Sequence, residues 1–206
     1  MPFFAVLWAF LSFQVVFLQS DQQEIGQLHP FVERFVDLNA FILKDYGPLF
    51  AAITFFLLGL ACLRRSDSRF SRSLFDLLGV YYLVRMAIQL LGLNILVFDS
   101  GSSPLLLITQ LIFFLPYMLL VWGWVYWRLN RMGVSHGRPL FSLDHEAAMP
   151  RVIDYYVASF STVFSASISN IKGTSARSRI LILIHGFMIY NVMGLILSRA
   201  ISLVQR

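Results

Sequence analysis

Apolar residues run through this chain in long blocks separated by short polar ones, without the alternating spacing of half-buried strands. The first block, Pro2 to Leu18, has no basic start, and Leu18-Gln19-Ser20 is a poor cleavage site, so it is expected to be a retained span rather than a signal peptide. It is short of the roughly 20 residues that cross a hydrocarbon core. From Ser20 to Tyr46 the pattern changes. Phe31, Phe35, Leu38 and Ile42 recur at helical spacing with Val32, Val36 and Leu43 beside them, while Glu33, Arg34 and Asp37 occupy much of the remainder. That predicts an amphipathic helix on the membrane surface or against a bundle. Further spans are predicted over Tyr46 to Leu63, Leu74 to Phe98, Leu105 to Trp127 and Ile180 to Val204. Between them lie a basic loop from Arg64 to Arg72, a turn from Asp99 to Pro104 and a polar loop from Arg128 to Pro150. Trp122, Trp124, Tyr126 and Trp127 form an aromatic cluster of the kind found at a headgroup boundary. The serine-rich, weakly apolar stretch from Arg151 to Asn170 fits none of these patterns cleanly.

Composition sharpens the picture. Of 206 residues 58% are hydrophobic and 13% charged, whereas a soluble domain carries about 25% charge. Much of the exterior must therefore face lipid, and an all-α polytopic membrane protein with five or six transmembrane helices is expected. The net charge of +5 sits in short loops, as membrane orientation requires; no basic stripe interleaves with aromatics, and nucleic acid is not an expected partner. The single cysteine, Cys62, lies in an apolar run and excludes an internal disulfide framework or a multi-thiolate zinc cluster. Asp144-His145-Glu146 could in principle bind a metal, but adjacent side chains rarely converge on one ion, and neither metal nor cofactor is expected. Phosphate loops, nucleophile elbows, zinc-protease motifs and paired intramembrane carboxylates are all missing from the sequence, so enzyme activity is not expected.

Ala158-Ser159-Phe160-Ser161-Thr162-Val163-Phe164, then Ser165-Ala166-Ser167-Ile168-Ser169-Asn170-Ile171, then Ala176-Arg177-Ser178 opening an apolar helix with Gly186, Tyr190 and Gly194, form an ordered series. It resembles the pore module of potassium-channel-like proteins: pore helix, selectivity filter and inner helix. The resemblance covers about a quarter of the chain and divides it into a transmembrane region, 1–150, and a pore-like module, 151–206. It implies a re-entrant helix-loop before the last helix and a homotetramer. Thr162 would end the pore helix, and Ser165, Ala166, Ser167, Ile168, Ser169 and Asn170 would form the filter. Ser167 and Ser169 stand where the family has glycines, whose freedom from a Cβ lets backbone carbonyls ring the ion. A cation channel of low or altered selectivity is the implied function. Alternatively, the serines are small residues that let helices approach, the segment is an ordinary sixth span, and the chain is a membrane-integral accessory subunit of a larger complex. Membrane lipids are partners in either case.

Charge topology bears on the choice. With a re-entrant segment, the basic residues within Arg64–Arg72, Arg128–Arg151 and Lys172–Arg179 share one side, 11 in number, against Arg34, Lys44, Arg199 and Arg206 on the other. The richer side should be cytoplasmic, which is opposite to the pore entrance of a potassium channel. A sixth span changes the division to 10 against 5 and puts both termini in the cytoplasm. Within the spans, Arg85 costs at least about 2.5–3.5 kcal/mol unless it faces protein or water. It is expected either to tie helices together, with Gln89 one turn later, or to act as counter-ion to Asp154 or a lipid phosphate. His185 is expected to be a hydrogen-bonded core histidine rather than a proton relay.

Overall fold

A computed structural model describes residues 34, 41, 45–62, 69–98, 104–135, 137–143, 150–164 and 171–204. The expected first span and the filter residues Ser165 to Asn170 lie outside this set, as do Asp144-His145-Glu146 and most of the expected surface helix. The described chain is mostly helical: α1 (Gly47–Cys62), α2 (Arg69–Phe98), α3 (Pro104–Ser135), α4 (Val152–Phe164) and α5 (Ala176–Val204). Three stretches are long and apolar enough to cross a membrane, Arg72–Ile95, Gln110–Ser135 and Ala176–Ile201; Pro48–Leu57 and Val152–Phe164 are shorter apolar helices. Apolar side chains also line the outside. On α2, Leu77, Val80, Val84 and Leu91 are exposed in one stripe, and on α5 so are Leu183, Phe187, Tyr190 and Leu197. Stripes of this size suit lipid and would be a liability in water.

The helices outrun the apolar blocks. α2 takes in Arg69 and Arg72 from the expected basic loop, and α3 continues eight residues past Trp127 to Ser135. Backbone hydrogen bonding continues through polar residues once a helix is established, so hydropathy marks the buried length and not the helical one. The aromatic cluster consequently lies inside α3, where Trp122, Trp124 and Tyr126 are buried. These three pack the protein interior instead of marking a headgroup boundary. Trp127 is half-buried, with the Arg131 guanidinium 5.6 Å from its ring centroid.

The end of α3 is built by glycine. Gly137 has φ 70°, its N–H donates to the Val134 carbonyl at 3.0 Å, and the Arg138 N–H donates to the Gly133 carbonyl at 2.9 Å. This pair of bonds is a Schellman cap, which needs a left-handed residue at its centre. The capped chain turns into β1 (Phe141–Leu143), which pairs antiparallel with β2 (Ile171–Gly173) in the register Phe141↔Gly173, Ser142↔Lys172 and Leu143↔Ile171. Thr174 extends the pairing, its N–H donating to the Leu140 carbonyl at 3.1 Å and its hydroxyl to the Pro139 carbonyl at 2.7 Å. So short a ladder is unstable alone, and here buried Phe141 and Ile171 seat it. Neither strand is legible as an alternating run, because three residues are too few to show a period.

α5 opens at Ala176, four residues before the apolar block. Ser175 and Ser178 cap it reciprocally: Ser178 N–H donates to Ser175 Oγ at 3.2 Å and Ser175 N–H to Ser178 Oγ at 3.0 Å. A serine at the third helical position does the work usually given to a glutamate.

The chain forms two compact units, 1–117 with 195–206, and 118–194. In the first, α1 packs on α2, where Phe50 stacks on Tyr81 with ring centroids 3.6 Å apart. Tyr117 of α3 donates its hydroxyl to the Tyr82 carbonyl at 2.9 Å. The second holds α4, the ladder and the parts of α3 and α5 beside them.

Candidate functional site

In the second unit α4 is docked along α3 through a short series of polar and close contacts. Asn130 begins it. Its Nδ2 donates to the Tyr155 hydroxyl at 2.6 Å, and its Oδ1 accepts the Phe141 N–H at 2.9 Å. One buried amide therefore holds both the first turn of α4 and the first residue of β1. Two turns back along α3, Gly123 lies against the Tyr156 ring so closely that a Cβ would collide with it. A turn further, the Ser159 hydroxyl donates to the Leu119 carbonyl at 2.8 Å. α3 positions 130, 123 and 119 thus meet α4 positions 155, 156 and 159, and the two helices run antiparallel.

The sequence of α4 explains its seat. Tyr155, Ala158, Ser159 and Thr162 form one buried face at helical spacing, while Val152, Ile153, Val157 and Phe164 are exposed. Small residues at 158 and 159 permit the close approach to α3. Asp154 is the third helical residue, and its Oδ2 accepts the Arg151 N–H at 2.6 Å, capping its own helix. Arg85 lies in the other unit and donates to Tyr81, so each of the two groups expected as an ion pair has a local partner. Thr162 is buried, and its hydroxyl donates to the Ser159 carbonyl at 2.6 Å within the helix; Ser161 does the same to Ala158 at 2.9 Å.

α4 has 13 residues, about 20 Å at 1.5 Å per residue, against about 30 Å of hydrocarbon. Both ends of the segment from Arg151 to Gly173 are held at the same end of α3: the first turn of α4 by Asn130, and β2 by its pairing with β1. Six residues join Phe164 to Ile171, a span of at most about 25 Å fully extended. That is enough to retrace the roughly 13 Å of helix between Tyr155 and Phe164.

His185 of α5 is 1% exposed. Its Nδ1 is 2.9 Å from the Tyr126 hydroxyl, and the Trp122 ring stacks on the imidazole at 4.8 Å with a 19° tilt. Among the described residues neither His185 Nε2 nor Trp122 Nε1 has a hydrogen-bond partner. The arrangement clamps α5 to α3 by one hydrogen bond and two ring contacts. Among the described residues no group of His, Cys, Asp or Glu could hold a metal.

Several polar side chains of the first unit are buried or half-buried on its long apolar helices. Arg85 is 8% exposed, with its Nη1 3.2 Å from the Tyr81 hydroxyl. Gln89 is half-buried one turn on, and Gln110 and Arg199 are buried. Arg199, counted above with the charges of one side although it lies within the expected last span, is buried on α5.

Asn130 and Gly123 carry the docking of α4 on the α3 side, and nothing in the hydropathy pattern marks them. Trp122-Gly123-Trp124, one small residue between two large ones, is the signal that an element must approach there. Comparison with protein-family models, curated proteins and solved structures finds no match for this chain.

Proposed function

We propose that this chain is a polytopic membrane protein with a re-entrant helix-loop over 151–173, and that it works as a channel-like pore for cations. What supports this is the shared end of α3 to which both limbs of that segment are tied, together with a helix too short to cross. Backbone that turns within a membrane must be buried in protein or line water. The order Thr162, Ser165, Ser167, Ser169, Asn170 would then put hydroxyl and amide oxygens at the turn, with α5 as the inner helix behind it. Serines in place of filter glycines imply a wider, weakly selective path, since backbone carbonyls cannot ring the ion as they do in a potassium filter. A pore of this kind forms at a symmetry axis and requires a homo-oligomer, a tetramer by resemblance.

Purified protein in liposomes should pass monovalent cations with little preference for potassium, and Ser167→Trp should block the flux. A folded, homogeneous oligomer that conducts nothing would reject the pore.

The second candidate function is an accessory subunit of a larger membrane complex. The observation in its favour is that Ser159 is spent on packing against Leu119, as a small-residue helix contact would have it. A monomer that purifies with unrelated subunits would decide for it.

A further inference from the structure

We infer that Arg85 and Tyr81 form a binding site for one small monovalent anion, a halide or a short carboxylate, within the first unit. Arg85 lies near the middle of the membrane-length stretch Arg72–Ile95 and is 92% buried. A guanidinium has five N–H donors and no acceptor. Among the described residues it makes a single hydrogen bond, to Tyr81 at 3.2 Å, and no ion pair with a carboxylate. The Tyr81 oxygen accepts that bond, so its own O–H is left to donate. Phe50 stacks on the Tyr81 ring at 3.6 Å and 13°, which fixes the phenol beside the guanidinium by packing and without a counter-charge. The hydroxyl of neighbouring Tyr117 is committed to the Tyr82 carbonyl. The result is a donor-rich, acceptor-poor pair carrying one positive charge where little water is at hand, the setting in which an anion binds most strongly.

The same geometry limits what the anion can be. Only 8% of Arg85 is exposed, which favours a small ion over a large partner. Ten residues of helix, about 15 Å, separate Arg85 from Ile95, which is too deep for a headgroup at its ordinary level. One guanidinium matches one negative charge, which favours a monovalent ion over phosphate or sulfate.

The test uses the full chain in a neutral detergent at constant ionic strength, with chloride or formate exchanged against gluconate, a much larger anion. The thermal unfolding midpoint should rise saturably with chloride or formate; whichever ion acts at lower concentration identifies the source. Arg85→Gln should abolish the rise, while Arg131→Gln, on the exposed end of α3, should keep it. Tyr81→Phe should lower the gluconate midpoint, because it removes the acceptor of Arg85, and should also weaken the apparent affinity several-fold; the affinity makes it the deciding variant should Arg85→Gln not fold. Equal midpoints in chloride, formate and gluconate would overturn the site and point to a carboxylate of the chain as the counter-charge. So would a chloride response unaltered by Tyr81→Phe. Because this site shares no residue with 151–173, its failure leaves the pore proposal untouched, and the reverse also holds.

Discussion

Asn130 shows how much one side chain can carry in this protein. Its amide uses a donor and an acceptor on two different segments, so truncation strands a phenol and a backbone N–H together. Leaving a buried group unpaired costs about 1–3 kcal/mol. Asn130→Ala should therefore lower the unfolding midpoint far more than Ser159→Ala, which strands only one carbonyl that is already bonded within its helix. Equal effects of the two would remove Asn130 from its place as the joint. A double-mutant cycle tests the clamp between Tyr126 and His185 in the same way. Tyr126→Phe and His185→Phe each break one 2.9 Å bond and strand the partner, whereas the double variant strands neither. The two effects should fall short of additivity by about 0.5–3 kcal/mol. Additive losses would mean that the bond contributes nothing beyond the packing of its rings.

At the scale of elements, α4 is positioned by contact and not by its own stability. Thirteen residues are marginal for an isolated helix in water. Gly123 is what lets it lie against α3, since any Cβ there meets the Tyr156 ring. Gly123→Leu should push α4 off α3, at a cost of about 1–3 kcal/mol for overpacking, and Tyr156→Ala should restore stability by clearing the space. Lack of rescue would mean that the damage lies elsewhere on α3. The cap of α3 gives a separate test, because Gly137 at φ 70° is in backbone space that a Cβ disfavours. Gly137→Ala should cost about 1–2 kcal/mol, read from the unfolding midpoint, with Gly137→Asn better tolerated. The Ser175–Ser178 cap and the ladder were hidden in the sequence for a related reason. Each is a local hydrogen-bond pattern of three or four residues, below the length at which a hydropathy period can be recognised.

For the whole molecule, the decisive question is whether the chain changes sides between 151 and 170. Ser142 and Lys172 are opposite one another in the ladder, yet they flank that segment in sequence. Single cysteines at the two positions, in a Cys62→Ser background, should react alike with an impermeant thiol reagent applied from one side of a sealed vesicle. Opposite labelling would defeat both the ladder and the re-entrant path, and would favour the plain sixth span. Alike labelling from the side that holds the basic loops would leave the conflict with potassium-channel orientation in force, and would require a pore entered from the cytoplasm.

The sequence by itself determined the solvent. Blocks of apolar residues with 13% charge leave too little polar surface for water, and among the described residues three of them mark helices long and apolar enough to cross a membrane. The short helix near Thr162 was expected only through the resemblance to a pore module, since no hydropathy period marks the stretch from Arg151 to Asn170. Tertiary structure alone decided what the polar residues do. Whether Trp122 meets headgroups or His185, and whether Ser159 lines water or binds the Leu119 carbonyl, depends on which helix lies alongside. Whether Arg199 faces the outside or the interior depends on it too. A hydropathy pattern records how much of a residue avoids water; the partner it turns to is set by distances between segments far apart in the chain.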